Sequence, residues 1–488
     1  MQAEPLASTL DVTITSAATD ADRDTVRRVL AGYQTGEPIH VVFIGTKPDI
    51  IKQAPVIREL THRGLQVLVC HSGQHTDYAY SGGMLDEFGI TVGLHIDMSD
   101  QPDLGAKAAA LIACANVLFA EGVAAGHTLL PYTHGDTMTA MAGSVAAYLN
   151  RIACVHVEAG IRTLSLSREF LMAQFEAVSA GEFDWESYRS AHREIETFRL
   201  GSREPFPEQF NTRVADAGTG LHMAPVALDR RFLLNEGFPG DSIVVVGNTV
   251  VDEMTRAKDR AGESTIFERF PQLRSGEFIR VCLHRRENTT DERRFRVYFD
   301  AVEQLVRSGH SVLWVSLFGT LGAIERFGLQ GRLDALVEEF PDTFISTEVW
   351  ALYGDVIAAM MNCAAIATDS GSMQEEANAL GVPCITLRFG SDRGESFLAG
   401  GNVLAPPVSA DFVATVISCA VANRGDLVPE PIYGTDCAPQ LVDAVLARVT
   451  LGDGLFRTEE DLLGWDCERW PDITVQDLPQ SSVTSLGG

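Results

Sequence analysis

Asp136 and Glu158 are the residues whose type and spacing first suggest chemistry in this chain. Each follows a short β-like run, in Tyr132-Thr133-His134-Gly135-Asp136 and in Val155-His156-Val157-Glu158. The segment between them, Met138–Leu149, is rich in small residues and helical in character. Ala140, Gly143, Ala146 and Ala147 let such a helix lie close to a sheet. Two parallel strands joined by that helix carry both carboxylates at their C-terminal ends, on the rim where an open α/β sheet binds ligands. Taken alone, the pair also reads as an N-cap aspartate and a surface glutamate. Upstream, the apolar run Ile39–Ile44 breaks at Gly45-Thr46-Lys47-Pro48-Asp49 and leads into an amphipathic helix over 50–63. Strand, glycine turn and helix make a Rossmann-like unit whose helix N-terminus can hold a phosphate, with Lys47 and Lys52 beside it. Two solvated lysines are the alternative reading.

The rest of the chain has to supply the frame for these groups. It has 488 residues, enough for two or three domains with sizeable cores, and 45% of them are hydrophobic. Its net charge of −28 repels nucleic acid and anionic lipid, so neither is an expected partner. A phosphate-bearing ligand must then be held by a local basic pocket. No uninterrupted apolar run reaches membrane-spanning length, and 108–119 is expected as a buried helix. Nine scattered cysteines without a CxxC pair fit reduced thiols in a cytoplasmic protein. Strand and helix signals alternate from 39 to 150 and again from 242 to 387, which predicts an α/β fold with two Rossmann-like domains.

The expected boundaries are an N-terminal extension over 1–37, with one helix over 20–33, and an N-terminal Rossmann-like domain over 38–248. A C-terminal Rossmann-like domain over 249–410 follows, then helices over 411–450 that pack back toward the N-terminal domain, and an acidic tail over 451–488. Within the first domain, 164–204 is charged, aromatic and helical in spacing, without strand patterning.

The turns form an ordered set: GTKPDIIKQAP, SGQH, HGDTMT, HVEAGIRT, PFPEQFN, GNTVVD, HRREN and DSGSMQEEA. With these motifs the chain resembles the UDP-N-acetylglucosamine 2-epimerases over about residues 39–450, the non-hydrolysing branch before the hydrolysing one. The resemblance implies the two-domain fold of the GT-B glycosyltransferases, with a nucleotide sugar in the interdomain cleft. It implies removal of the C2 proton, expulsion of UDP from C1, a 2-acetamidoglucal intermediate, and re-addition of UDP after protonation from the other face. That chemistry requires no metal or redox cofactor. Catalytic roles map onto Asp136, Glu158, Glu208 and His284. Substrate contacts map onto Lys47, Lys52, Arg162, Arg285, the helix start Ser370-Gly371-Ser372, Glu376 as the ribose acid, and Arg393. A base for a weakly acidic C2–H has to titrate near neutrality, which desolvation in a cleft supplies. A cytoplasmic homodimer is expected.

The sequence also departs from the family pattern. Lys47 and Asp49 stand where the family carries Arg and Glu, and a lysine loses the bidentate fork on a phosphate. Ser316-Leu317-Phe318-Gly319 replaces a His-x-Asn-Pro turn, and Thr76 and Asp77 replace a basic residue, both at positions that serve an activating second substrate in bacterial relatives. Ser372 replaces a glycine and Gly394 a proline. Glu158 and Glu208 are 50 positions apart, where relatives join the two by one loop. The extra segment is expected at the cleft mouth, as a helical lid or dimer surface, or else as a bystander. Alternatives to the UDP-GlcNAc/UDP-ManNAc reaction are hydrolysis to ManNAc and UDP, another sugar nucleotide, a GT-B glycosyltransferase, and a non-catalytic sugar-nucleotide sensor.

Overall fold

The computed structural model describes residues 12–74 and 81–450. His75, Thr76, Asp77 and the acidic tail lie outside the described residues. An eight-stranded, all-parallel sheet forms the N-terminal lobe. Its order is Thr13–Thr15, Leu94–Asp97, Gln66–His71, Ile39–Ile44, Leu129–His134, Val155–Val157, Leu221–Ala224 and Ile243–Val245. A six-stranded parallel sheet forms the C-terminal lobe, ordered Phe344–Glu348, Ser311–Ser316, Phe278–Leu283, Ala365–Thr368, Cys384–Thr386 and Asn402–Leu404. The central strands are buried on both faces, as continuous apolar runs require when helices cover both sides. The helix Leu104–Ala124 is long and apolar enough to cross a membrane. Here it is a core helix, half-buried against Asp20–Leu30 and Met138–Leu149.

Two expectations need correction. Residues 13–30 are part of the first lobe, not an appendage to it. Thr13–Thr15 adds the edge strand beside Leu94–Asp97, and the helix Asp20–Leu30 buries Val26 and Leu30 in the same core as Ile14. Three residues of strand are too short for the alternation that betrays a strand in sequence.

The second correction concerns 164–204. It contains two short strands, Leu164–Leu166 and Phe198–Arg199, which form a three-stranded antiparallel sheet with Gly390–Ser391 of the other lobe. Its helices Arg168–Ala180 and Trp185–Ala191 pack on the C-terminal lobe rather than hanging over the cleft. Tyr188 is fully buried beside Phe170, Phe183 and Phe412, and its hydroxyl donates to Leu404 O at 2.7 Å. His192 accepts from Leu404 N at 3.1 Å. The segment leaves one lobe, docks into the core of the other and returns, so it ties the lobes together. A lid has to open at little cost, and a fully buried anchor opposes that. Tyr188→Ala is therefore expected to destabilise the fold by about 3–5 kcal/mol in urea denaturation. A loss below about 1 kcal/mol would show that the segment is only draped over the surface.

Candidate active site

The facing rims of the two sheets enclose a cavity of about 260 Å³, lined by Asp136, Glu158, Glu208 and His284 together. Lys52, Arg285, Ser370, Ser372 and Arg393 also line it. The strand Leu129–His134 delivers Asp136 one turn beyond its end, and Val155–Val157 delivers Glu158 directly. Glu208 opens the helix Glu208–Ala217, and His284 and Arg285 follow Phe278–Leu283. Asp369 fixes that last turn by accepting from the backbone N–H of His284 at 2.9 Å and of Arg285 at 3.0 Å. Gly371 leaves room for two guanidiniums. A Cβ there would lie 3.3 Å from both Arg285 Nη2 and Arg393 Cζ, so the helix Gly371–Leu380 can approach both guanidiniums.

The four candidate acid–base groups are in different electrostatic states. Asp136 is buried, and its Oδ2 has no hydrogen-bond partner among the described residues. Burial pushes its carboxyl up to about 6, although Arg393, 4.0 Å away, and Arg285 pull the other way. Glu158 is held in the opposite state. Burial works against its charge, but Lys52, Arg393 at 2.7 Å and His134 at 3.2 Å keep it well below the usual carboxylate range. Asn248 adds a fourth bond at 3.2 Å. Glu158 also has a φ of +65°, a left-handed conformation that costs a non-glycine residue on the order of 1–3 kcal/mol and clusters at functional sites. Glu208 accepts from Arg285 at 2.7 Å through Oε1, while its Oε2 is buried without a hydrogen-bond partner among the described residues. Burial lowers the His284 imidazole, partly offset by Asp369 at 3.8 Å, so it is neutral at pH 7.

A second cavity of about 160 Å³ adjoins the first, sharing Pro48, His284, Ser370 and Ser372. It is mostly apolar, with Ile51, Val315, Leu317, Trp350 and Val356 around Lys47, Arg280 and Glu376. Glu376 is buried and pushed up to about 7 by that burial, and accepts from the Tyr353 hydroxyl at 3.0 Å. Lys47 is the first residue of the helix Lys47–His62 and donates to Trp350 O at 3.0 Å. Burial lowers its ammonium to about 8.

Two expected ligand contacts act differently from the sequence expectation. Arg162 is turned away from the cleft: Asp216 at 2.9 Å and Glu236 at 2.6 Å hold its guanidinium, and it lines neither cavity. Lys52 does line the first cavity, but its ammonium is fully buried between Glu158 and Glu375. His134 was not expected. It bridges Asp49 at 3.0 Å and Glu158 at 3.2 Å, and these carboxylates overcome burial and raise it to about 9, so it is an imidazolium at neutral pH. Its signal was its place in the HGDT turn, two residues before Asp136. Glu375, which accepts from Arg393 at 2.5 Å, was masked by its neighbour Glu376.

The family profile described as UDP-N-acetylglucosamine 2-epimerase matches residues 58–171 and 199–446, leaving out 172–198, the middle of the interlobe segment. UDP-N-acetylglucosamine 2-epimerase of Methanocaldococcus jannaschii is 25% identical over 369 residues, covering 74% of this chain and 87% of that protein. The enzyme of Neisseria meningitidis serogroup A is 26% identical over 369 residues, covering 74% and 85%. Two crystal structures share the fold with a TM-score of 0.67. One is the M. jannaschii UDP-GlcNAc 2-epimerase in complex with UDP-GlcNAc and UDP, 21% identical, covering 84% of this chain and 99% of that one. The other is the N. meningitidis UDP-GlcNAc 2-epimerase bound to UDP-GlcNAc, 24% identical, covering 84% and 100%. The fold is α/β, of GT-B type, and the protein is an enzyme of the epimerase class. On the ordered motifs, the paired parallel sheets and the profile match across most of its length, this chain belongs to the UDP-N-acetylglucosamine 2-epimerase family.

Proposed function

We propose that the enzyme interconverts UDP-GlcNAc and UDP-ManNAc by elimination and re-addition of UDP. The observation that carries this is the unpartnered, near-neutral carboxyl of Asp136 in one cavity with Glu208, His284 and Arg393. Asp136 takes the C2 proton, the C1–O bond breaks with its electron pair going to UDP, and a 2-acetamidoglucal remains. Glu208, in its acid form, gives its proton to the opposite face of C2 and is left as the carboxylate that Arg285 pairs, while a UDP oxygen re-forms the bond at C1. Asp136 then loses its proton to solvent and Glu208 regains one, which restores the starting state. Glu158 does not exchange protons in this scheme; its permanent charge fixes Arg393 and Lys52. Arg285, Arg393, neutral His284 and the N-terminus of Gly371–Leu380 stabilise the departing diphosphate. The apolar second cavity takes the uridine, with Glu376 on the ribose. Eight free cysteines among the described residues suit the reducing cytoplasm that this reading includes, together with a homodimer.

Incubation with UDP-GlcNAc in deuterated water tests the proposal by NMR. Deuterium at C2 of a sugar still linked to UDP is expected. Free deuterated ManNAc would assign the hydrolysing reaction instead, and absence of both would overturn the proposal.

A further inference from the structure

Outside the cleft, Arg168, Arg199 and Arg203 line a third cavity, of about 550 Å³, with Arg294 and Phe389 in its wall. This cluster runs against the chain's net charge of −28. Of the four arginines, Arg294 is the one that forms an ion pair among the described residues, donating to Glu204 at 2.9 and 3.1 Å while its guanidinium lies 5.0 Å from the Phe389 ring centroid. The other three are exposed and line the same space, Arg199 bordering a neighbouring cavity as well, and Glu204 is the one acidic residue of that lining. Arg168 also begins the helix Arg168–Ala180, so the positive end of that helix dipole adds to the field. Leu171 and Leu200 give the pocket an apolar side.

Guanidinium forks match phosphate oxygens, and the cavity has the volume of a small-molecule site. We propose that it binds a small phosphate-bearing ligand, distinct from the one in the cleft. Its walls connect it to the reaction. Phe389 lies four residues before Arg393, and Glu204 four before Glu208. An anion bound here competes with Glu204 for Arg294, so its occupancy reaches the strand and loop that hold both site residues. Binding energy shared in this way is reciprocal between the two sites.

Isothermal titration calorimetry on the full chain, with the cleft saturated by UDP, tests the proposal using inorganic pyrophosphate as probe. One further binding event is expected. Arg199→Glu/Arg203→Glu should weaken it at least tenfold. Arg168→Glu should weaken it several-fold while placing an acid where the helix start favours one, so the fold is preserved. Glu204→Gln, which removes the competing charge, should tighten it several-fold. UDP affinity within twofold of wild type in Arg168→Glu shows an intact cleft. Lack of a second event, or equal affinity in all arginine variants, overturns the proposal, and citrate binding more tightly than pyrophosphate overturns the phosphate assignment. If UDP itself fails to bind, the function proposed above is in difficulty, but the comparison among arginine variants still decides this site.

Discussion

Asp136→Asn is expected to lower kcat by about 10³-fold while UDP affinity stays within about twofold. A positioned base contributes on the order of 10²–10⁴-fold, and about 10³ corresponds to ~4 kcal/mol of barrier. Asn keeps the shape of the side chain and its setting beside Arg393, but it cannot accept the C2 proton. The wild-type pH profile carries the same information. A base raised to about 6 gives kcat/KM that falls as pH drops below that value. The residual activity of the variant should lack this limb. Stability moves in the opposite sense. Because the folded-state carboxyl titrates above its ordinary 3.8, its contribution to stability is fully present below 3.8 and lost as pH rises through about 6. Asn carries no charge to desolvate, so at pH 7.5 the variant should melt at or above the wild-type temperature. A variant that exchanges the C2 proton at the wild-type rate would remove Asp136 from the base role.

The placement of Asp136 was legible because strand, turn and small-residue helix are all local signals, and the rim of a parallel sheet is where ligands bind. Met138–Leu149 is a helix over the residues its composition indicates. The partners that set its chemistry were not legible. Arg393 is far along the chain, and no periodicity reports a contact between lobes. Arg162 shows the converse error. Its place in the EAGIRT motif suggested a ligand contact, but the nearest acids in space, Asp216 and Glu236, neutralise it within the N-terminal lobe. The interlobe segment was misread for a related reason. Its aromatic residues have helical spacing whether they cover a lid or fill a core, and only the position of Phe412 and Phe397 decides which. Length and spacing therefore gave the elements, while charge states depended on long-range pairing.

That dependence is greatest at Glu158, and Glu158→Gln should be the most destabilising conservative change in the cleft, by about 3–5 kcal/mol in urea denaturation. The wild-type carboxylate neutralises Lys52, Arg393 and His134 at once, with all four side chains almost completely buried. Removing its charge alone leaves three buried cations on carboxylates that are already engaged: Glu375 is shared by Lys52 and Arg393, Asp392 by Arg393 and Arg388, and Asp49 alone holds His134. Since Glu158 titrates well below 4.5, its stabilisation is present at all pH values above that and is lost only in stronger acid, below the range where Asp136 titrates. The two carboxylates can thus be separated by pH as well as by mutation. In Glu158→Gln, His134 should titrate below its wild-type value of about 9, because the main charge holding its proton is gone. Turnover should fall with the loss of a fixed Arg393, even where the folded fraction is restored by excess UDP. Adding Lys52→Met should recover part of the stability by removing one stranded cation, but not the activity. A Glu158→Gln protein within about 1 kcal/mol of wild type would mean that water or a shifted Glu375 neutralises the cations, and that Glu158 is free to exchange protons after all.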